Sequence, residues 1–241
     1  DASLARYDDE ALRGLVDRLR EVSLRDTPSS LLLGAGRVTS PEGARAYGEL
    51  FAIPSTAAEL HAMPSDEAVA RVREAVCYAR DRGARVVGLG AYTSIVTRNG
   101  AWLGDVGVPI TTGNGLTVVA AVDVLLDLAA RRAISLASAT VAVVGATGSI
   151  GRAVALELAP YVGRVVLVGN PAHPSQAIER LQRSAADMLD VLRETDRGGA
   201  LAARVKQGDA TVRALVDEAF VTLCADSQSS LTSAAIVVAA T

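Results

Sequence analysis

The sequence is poor in lysine, aromatic residues and cysteine, and these shortages limit the kinds of protein that it can be. Lys206 is its one lysine, so the positive charge comes from arginine, and the net charge is −3. Because aromatic residues make up 3% and the arginines lie among acidic residues, the sequence shows no nucleic-acid-binding surface. Two cysteines, Cys77 and Cys224, do not make the disulfide framework of a secreted domain, so we expect a cytoplasmic protein.

Long hydrophobic runs are missing too. No apolar stretch approaches the roughly 20 residues of a membrane-spanning helix, and the run 116–130 is interrupted by Asp123 and Asp127. The amino-terminal residues show no signal-peptide pattern, and we expect no metal site. What is present is a chain of 241 residues, 50% of them hydrophobic, which suffices for a buried core.

The most informative segment is a run of β-branched residues that leads into three evenly spaced glycines. Residues 139–144 read Ala-Thr-Val-Ala-Val-Val, glycines follow at 145, 148 and 151, and a helical pattern comes next. Strand, tight turn and helix in this order are typical of a dinucleotide-binding loop. Gly145 would make the turn, Gly148 would let the backbone approach a pyrophosphate, and Gly151 would let helix and strand pack closely. The phosphates would lie on the free amides of the helix start, where the helix dipole favours negative charge.

Strand and helix patterns alternate from residue 139 onward, which predicts a parallel sheet. We expect strands at 139–144, 164–168, 219–224 and 235–240, with helical stretches at 150–159, 175–195 and 200–217. The predicted fold class is therefore α/β: a doubly wound, Rossmann-like parallel sheet preceded by a smaller α/β domain.

Two domains are predicted. Residues 1–132 form a domain that helps to shape a substrate cleft, and residues 133–241 form the cofactor-binding domain. Within the first domain, residues 27–64 are rich in Pro, Gly and Ser and predict loops with short elements. Residues 234–241 resemble a buried strand, and a doubly wound domain usually continues past its fourth strand, so we expect the intact protein to be longer.

The cofactor site can be predicted further along the chain. No acidic residue follows the strand 164–168, and this absence permits a 2′-phosphate on the cofactor. Asn170, His173 and Arg180 are candidate contacts for that phosphate; the alternative is a polar turn and an exposed helix face. The predicted cofactor-binding residues are Gly145, Thr147, Gly148, Ser149, Ile150, Gly151, Asn170, His173, Arg180, Asp226, Ala240 and Thr241.

Three segments together resemble a known family. They are Gly-Leu-Gly-Ala-Tyr-Thr-Ser-Ile-Val at 88–96, Ile-Thr-Thr-Gly-Asn at 110–114, and the glycine-rich segment 139–151. In sequence, order and spacing they resemble the fatty-aldehyde-forming acyl-(acyl-carrier-protein) reductases of the alkane pathway. The likeness extends over roughly residues 65–170, while the first 60 residues and the stretch 171–230 match poorly.

The resemblance implies an NADPH-dependent oxidoreductase of fatty acid metabolism. Such an enzyme takes the acyl group of an acyl carrier protein or acyl-CoA thioester onto a cysteine, and hydride transfer then releases an aldehyde. The nucleophilic cysteine of that family follows the glycine-rich domain, so we expect it beyond Thr241. We interpret Cys77 and Cys224 as structural thiols. The sequence leaves the oligomeric state open, a homo-oligomer included.

Five polar residues near a strand end and a helix start are the predicted substrate cleft: Tyr92, Thr93, Ser94, Thr112 and Asn114. Turn formation and helix capping are the alternative roles for these side chains. We interpret His61 as a surface residue. Four arginines between residues 71 and 82 are either a carrier-protein surface or a solvated helix face: Arg71, Arg73, Arg80 and Arg82.

Other functions remain open at this stage. A short-chain dehydrogenase needs a lysine four residues after its tyrosine, and no tyrosine of this sequence has one. Shikimate-type and folate-type dehydrogenases use a lysine in the first domain, whereas Lys206 lies between the second and third predicted strands. The alternatives are a non-catalytic NAD(P)-binding sensor or partner domain, and another NADP-dependent dehydrogenase that acts on a small substrate.

Overall fold

The computed structural model describes residues 30–225 and 231–240. Contacts divide the chain into two compact units, Asp1–Gly113 (unit 1) and Asn114–Thr241 (unit 2). The predicted domain boundary after residue 132 stays a prediction. Among the helices in the described ranges, none combines the length and the apolar character that crossing a membrane would require.

Unit 1 contains an antiparallel hairpin of strands β1 (Leu31–Thr39) and β2 (Arg45–Ala52). Arg82 donates two hydrogen bonds of 2.9 and 3.0 Å to the carboxylate of Glu49 on β2, and the Tyr47 hydroxyl donates a third. The bonds from Arg82 hold the pKa of Glu49 below its usual range. The prediction of loops with short elements is wrong here, because the two strands have nine and eight residues.

The rest of unit 1 is built around one long helix. Helix α1 (Ala57–Ala62) starts at a capping box, in which Thr56 and Glu59 each accept a hydrogen bond from the other's backbone amide. Helix α2 (Ser65–Asp81) buries residues at a spacing of three to four, namely Ala68, Val72, Val76 and Ala79. Two of them pack into a core with Leu89, Leu103 and Val106.

Two short parallel strands complete unit 1. Strand β3 (Val87–Gly88) pairs with β4 (Ile110–Thr111), and helix α3 (Tyr92–Val96) follows β3. Because parallel strands end at the same edge, the residues that follow Gly88 and Thr111 lie on one side of this small sheet.

Unit 2 is organised by a four-stranded sheet in which every neighbouring pair is parallel. In chain order the strands are β5 (Thr140–Val144), β6 (Arg164–Val168), β7 (Val221–Cys224) and β8 (Ile236–Ala239). Their spatial order is β7-β6-β5-β8, so the chain adds two strands on one side of β5 and then crosses to its other side.

Helices connect and cover these strands. They are α4 (Asn114–Arg131), α5 (Ser149–Leu158), α6 (Pro174–Glu194), α7 (Ala200–Val205) and α8 (Val212–Asp217). Their apolar faces meet the sheet in one core, where Val141, Val143 and Leu167 are fully buried. After their first residues, Thr140 and Arg164, strands β5 and β6 are apolar throughout, as a sheet covered on both faces requires.

The prediction of a mixed α/β chain with a parallel sheet is confirmed, and the strands expected from residue 139 onward match β5 to β8 within two residues. The prediction of one continuous helical stretch over residues 200–217 is wrong. The stretch 200–217 is two helices, because Gly208 adopts φ +99° after α7 and Thr211 caps a new start by accepting a hydrogen bond from Ala214.

The turn before α7 yields a matched pair of stability variants. A Cβ on Gly199 would lie 2.6 Å from the Val162 carbonyl oxygen and 2.8 Å from that of Pro160, whereas a Cβ on Gly198 would meet nothing within 4 Å. We expect Gly199→Ala to lower the free energy of unfolding by about 1–3 kcal/mol through overpacking. Urea unfolding measures this, with Gly198→Ala as the control. Equal stability of the two variants would contradict the close packing.

Candidate functional site

The glycine-rich turn after β5 is built by backbone geometry. Gly145 adopts φ +80°, a conformation that favours glycine, and its amide and that of Ala146 both donate to the Val168 carbonyl at 3.0 Å. The Gly148 amide then donates to the Gly145 carbonyl at 2.9 Å, and α5 starts at Ser149. The loop therefore bends sharply from the end of β5 into α5, as the sequence predicts.

Gly151 lets α5 approach that turn. A Cβ at this position would lie 2.7 Å from the carbonyl carbon of Gly145, which real side chains do not tolerate. Gly148 is less restricted: it has extended backbone angles as the N-cap of α5, and a Cβ there would lie 3.3 Å from the Gly145 oxygen. The packing role expected of Gly151 matches this geometry, while the binding role of the loop residues stays a prediction.

The first turn of α5 leaves backbone donors unused. The first helical hydrogen bond runs from the Arg152 amide to the Gly148 carbonyl at 2.9 Å. Within the described residues, the amides of Ser149, Ile150 and Gly151 have no backbone acceptor. No residue from 145 to 150 is charged. The start of α5 is thus the positive end of the helix dipole, and the loop 145–150 contains no carboxylate that would neutralise it.

Asn114 joins the start of a second helix to this loop. Its side-chain amide donates to the Ser149 hydroxyl at 3.0 Å, and both residues belong to unit 2. Asn114 is the first residue of α4, and Ser149 is the first residue of α5. The amino-terminal ends of both helices therefore lie side by side, and their dipoles add at the same place.

The loop after β6 lies against the glycine-rich turn. A Cβ on Gly169 would come within 3.3 Å of the Thr147 methyl group, so these two loops touch. The side chain of Asn170 accepts a hydrogen bond from the Ala172 amide at 2.9 Å, which is turn chemistry. His173 is the N-cap of α6 without a side-chain capping bond, and Arg180 is exposed on that helix. Their predicted phosphate contacts stay predictions.

Strand β8 places the last described residue beside the same turn. The Ala240 amide donates to the Val144 carbonyl at 3.0 Å, directly before Gly145. The strand order reverses between β5 and β8, and crevices at such reversals are where open α/β sheets bind ligands. Asp226 and Thr241 lie outside the described residues.

Three of the predicted cleft residues lie at the start of α3 in unit 1. The Thr93 hydroxyl donates to the Gly90 carbonyl at 2.7 Å, and that of Ser94 donates to the Ala91 carbonyl at 3.0 Å. Ala91 itself has φ +47°. Both hydroxyls therefore stabilise the bend from β3 into α3. Thr112 follows β4 in unit 1, whereas Asn114 lies in unit 2.

Tyr92 contacts a histidine that the sequence did not connect with it. Its hydroxyl lies 2.6 Å from the His61 Nδ1 atom, and the two rings meet edge to face. The residues are 31 positions apart and lie on α1 and α3. No spacing in the sequence signals this pair, because only the packing of α1 against α3 brings the two side chains together.

The arginines of α2 are engaged within unit 1. Both Nη atoms of Arg73 donate to backbone carbonyls, those of Leu103 and Asp105, and Arg80 donates to the Val106 carbonyl at 2.9 Å. These bonds fasten the segment 103–106 to the helix. Arg71 donates to the Ser55 hydroxyl at 2.9 Å, and Arg82 pairs with Glu49 as described above.

The two cysteines are both half-buried. Cys77 packs beside the core of unit 1, and Cys224 packs beside Ala142, Val166 and Val168 at the end of β7. In the described part of the chain, no group of three or more His, Cys, Asp or Glu side chains could hold a metal ion.

The chain is similar to part of a known protein. No protein-family model matches the chain. Among curated proteins, the chain is 35% identical over 118 residues to "Aminotransferase PigE" of Serratia sp. (strain ATCC 39006). The match covers 47% of this chain and 13% of that protein, so the chain spans about an eighth of its relative's length.

This relative overturns the predicted activity. It is named as an aminotransferase, which moves an amino group, whereas the predicted enzyme transfers hydride to a thioester. The assignment to the acyl-(acyl-carrier-protein) reductases, the oxidoreductase class and the role in fatty acid metabolism are therefore wrong. The prediction of NADPH as the cofactor is wrong with them, because the relative's name denotes transfer of an amino group and not of hydride. Neither the NAD(P)-binding sensor nor another NADP-dependent dehydrogenase gains support.

The arginine contacts of α2 predict a stability effect. We expect Arg73→Met to lower the free energy of unfolding by about 1–3 kcal/mol, because it leaves the carbonyls of Leu103 and Asp105 without their charged donor. Limited proteolysis should then cut within residues 98–109 first. Arg71→Met, which loses only side-chain partners, the Ser55 hydroxyl and the Glu67 carboxylate, serves as the control and should change stability by less. Unchanged proteolysis of Arg73→Met would contradict this role.

Proposed function

We propose that this chain is a ligand-binding domain that holds the phosphate group of a small molecule at the loop 145–151. The observation that carries the proposal is the set of unused amides at Ser149, Ile150 and Gly151, presented by a turn that depends on the positive φ of Gly145 and on the missing side chain of Gly151. We propose further that the sheet of unit 2 is doubly wound, which the strand order β7-β6-β5-β8 supports.

The charge around the loop favours an anion. The starts of α4 and α5 meet at the hydrogen bond between Asn114 and Ser149, and each helix start carries about half a positive charge. A phosphate oxygen accepts hydrogen bonds and donates none when ionised, so backbone amides match it directly. The hydroxyls of Thr147 and Ser149 are further donors in the same loop.

The position of the loop suits a ligand, because it lies where the strand order reverses between β5 and β8. The loop lies at the carboxyl edge of the sheet, where Gly169 after β6 contacts it and Ala240 after β8 bonds to Val144, the residue directly before it. A phosphate monoester or a diphosphate fits this arrangement. Pyridoxal phosphate is such a monoester, and the relative's name, an aminotransferase, suggests it as a ligand to test.

Gly148→Asp separates binding from folding. Gly148 is the N-cap of α5, where an aspartate caps the helix well, so stability should stay equal or rise by a few tenths of a kcal/mol. The same carboxylate would occupy the amides of the first turn and repel an anion. We expect inorganic pyrophosphate to bind at least about tenfold more weakly to this variant, a loss of about 1.4 kcal/mol.

Isothermal titration calorimetry with inorganic pyrophosphate, and then with pyridoxal phosphate, makes this comparison. Gly148→Ala is the matched control, because it adds the Cβ without the charge and leaves the amides open. It should bind within about threefold of the natural chain, a difference of under about 1 kcal/mol. Equal affinity of the Asp and Ala variants, or no binding of either ligand to the natural chain, would overturn the proposal.

A further inference from the structure

We infer that this chain does not form the lysine Schiff base through which an aminotransferase works. Pyridoxal phosphate that binds to the chain is then held through its phosphate group alone. The inference rests on the proposed phosphate loop for its second half only. Its first half rests on the single lysine of the chain and on the surroundings of that side chain.

The chemistry of a Schiff base requires a primary amine at the site. The amine adds to the aldehyde of the cofactor, water leaves, and a carbon–nitrogen double bond joins cofactor and protein. Arginine cannot replace lysine in this step, because its guanidinium stays protonated. Among all 241 residues the sequence has one lysine, Lys206, so this side chain alone could supply the amine within the chain.

Lys206 lies at the wrong end of unit 2. It directly follows α7, whose start is fixed by hydrogen bonds from Gly199 to the Pro160 carbonyl and from Leu201 to the Val162 carbonyl. The segment 159–162 comes after the last residue of α5, while the glycine-rich loop comes before the first. The length of α5 separates them, ten residues and about 15 Å. Lys206 itself pairs with Asp196 at 3.8 Å, two residues past the end of α6. Helix α6 begins near the loop, because Gly169 adjoins both Thr147 and Ala177, and its 21 residues span about 31 Å. The four-carbon stem of a lysine does not bridge that distance.

The surroundings of Lys206 also differ from those of a Schiff-base lysine. Such lysines are activated in an apolar pocket or beside another cation. The Lys206 side chain is 43% exposed, and its charged partner is a carboxylate, that of Asp196, at 3.8 Å. The residues present therefore do not fit a lysine-bound pyridoxal phosphate, and no step of amino transfer is assigned to them.

Chemical trapping tests the inference. The natural chain is incubated with pyridoxal phosphate, reduced with borohydride, which fixes any Schiff base, and digested for peptide mass mapping. We expect Lys206 to be labelled slowly and without saturation, as any exposed amine is. The extent of labelling should be the same in the variant Gly148→Asp as in the natural chain. Peptide mapping separates this label from that on the amino terminus.

Lys206→Arg is the matched variant, because it keeps the charge beside Asp196 and removes the amine. We expect it to bind pyridoxal phosphate in calorimetry with the same affinity as the natural chain. One saturable label per chain on Lys206, or loss of binding in Lys206→Arg, would overturn the inference. If calorimetry detects no pyridoxal phosphate or pyrophosphate at all, the proposed function fails, while unsaturable labelling of Lys206 still upholds the absence of a Schiff base.

Discussion

Helix α5 begins directly against the end of strand β5, and this close approach depends on the missing side chain of residue 151. Any Cβ there would collide with the backbone of Gly145. The approach fixes where the helix points and which amides its first turn exposes. It also fixes the bend after Val144, since Gly145 must adopt a positive φ for the chain to turn back so soon.

Other parts of unit 2 are arranged around that contact. The Val168 carbonyl accepts from two amides of the turn, which ties the end of β6 to the loop, and the Ala240 amide ties the end of β8 to β5. Asn114 adds the start of α4 through Ser149. The ends of β6 and β8 and the start of α4 thus converge at one loop on the carboxyl edge of the sheet. An anion is the ligand that such a concentration of donors and helix starts recognises best.

Local patterns in the sequence were sufficient for the sheet of unit 2. Uninterrupted β-branched runs predict buried parallel strands, and the glycine spacing predicts the turn, because both depend on residues that are close in the chain. The hairpin β1–β2 could not be predicted in this way: its strands contain Gly34, Gly36 and Gly48, which a sequence pattern associates with loops. The His61–Tyr92 contact depends on the packing of α1 against α3, since the two residues are 31 positions apart in the chain.

The functional prediction failed for a related reason. The motifs at 88–96 and 110–114 are short, and in the structure two of their hydroxyls, those of Thr93 and Ser94, donate to backbone carbonyls of their own turn. Side chains that shape a turn can recur in proteins of different activity, because the turn is what they specify. The relative is named as an aminotransferase, and the chain's one lysine lies beside Asp196, past the end of α6 that is distant from the glycine-rich loop.

The central claim is that the loop 145–151 binds phosphate through its amides. A titration of the nitrogen-15-labelled chain with inorganic pyrophosphate, followed by amide chemical shifts, tests it most directly. The account predicts saturable shifts concentrated at Thr147, Ser149, Ile150 and Gly151, with smaller ones at Asn114 and Ala240. Shifts that are absent from this loop, or spread over the arginines of α2 instead, would contradict it.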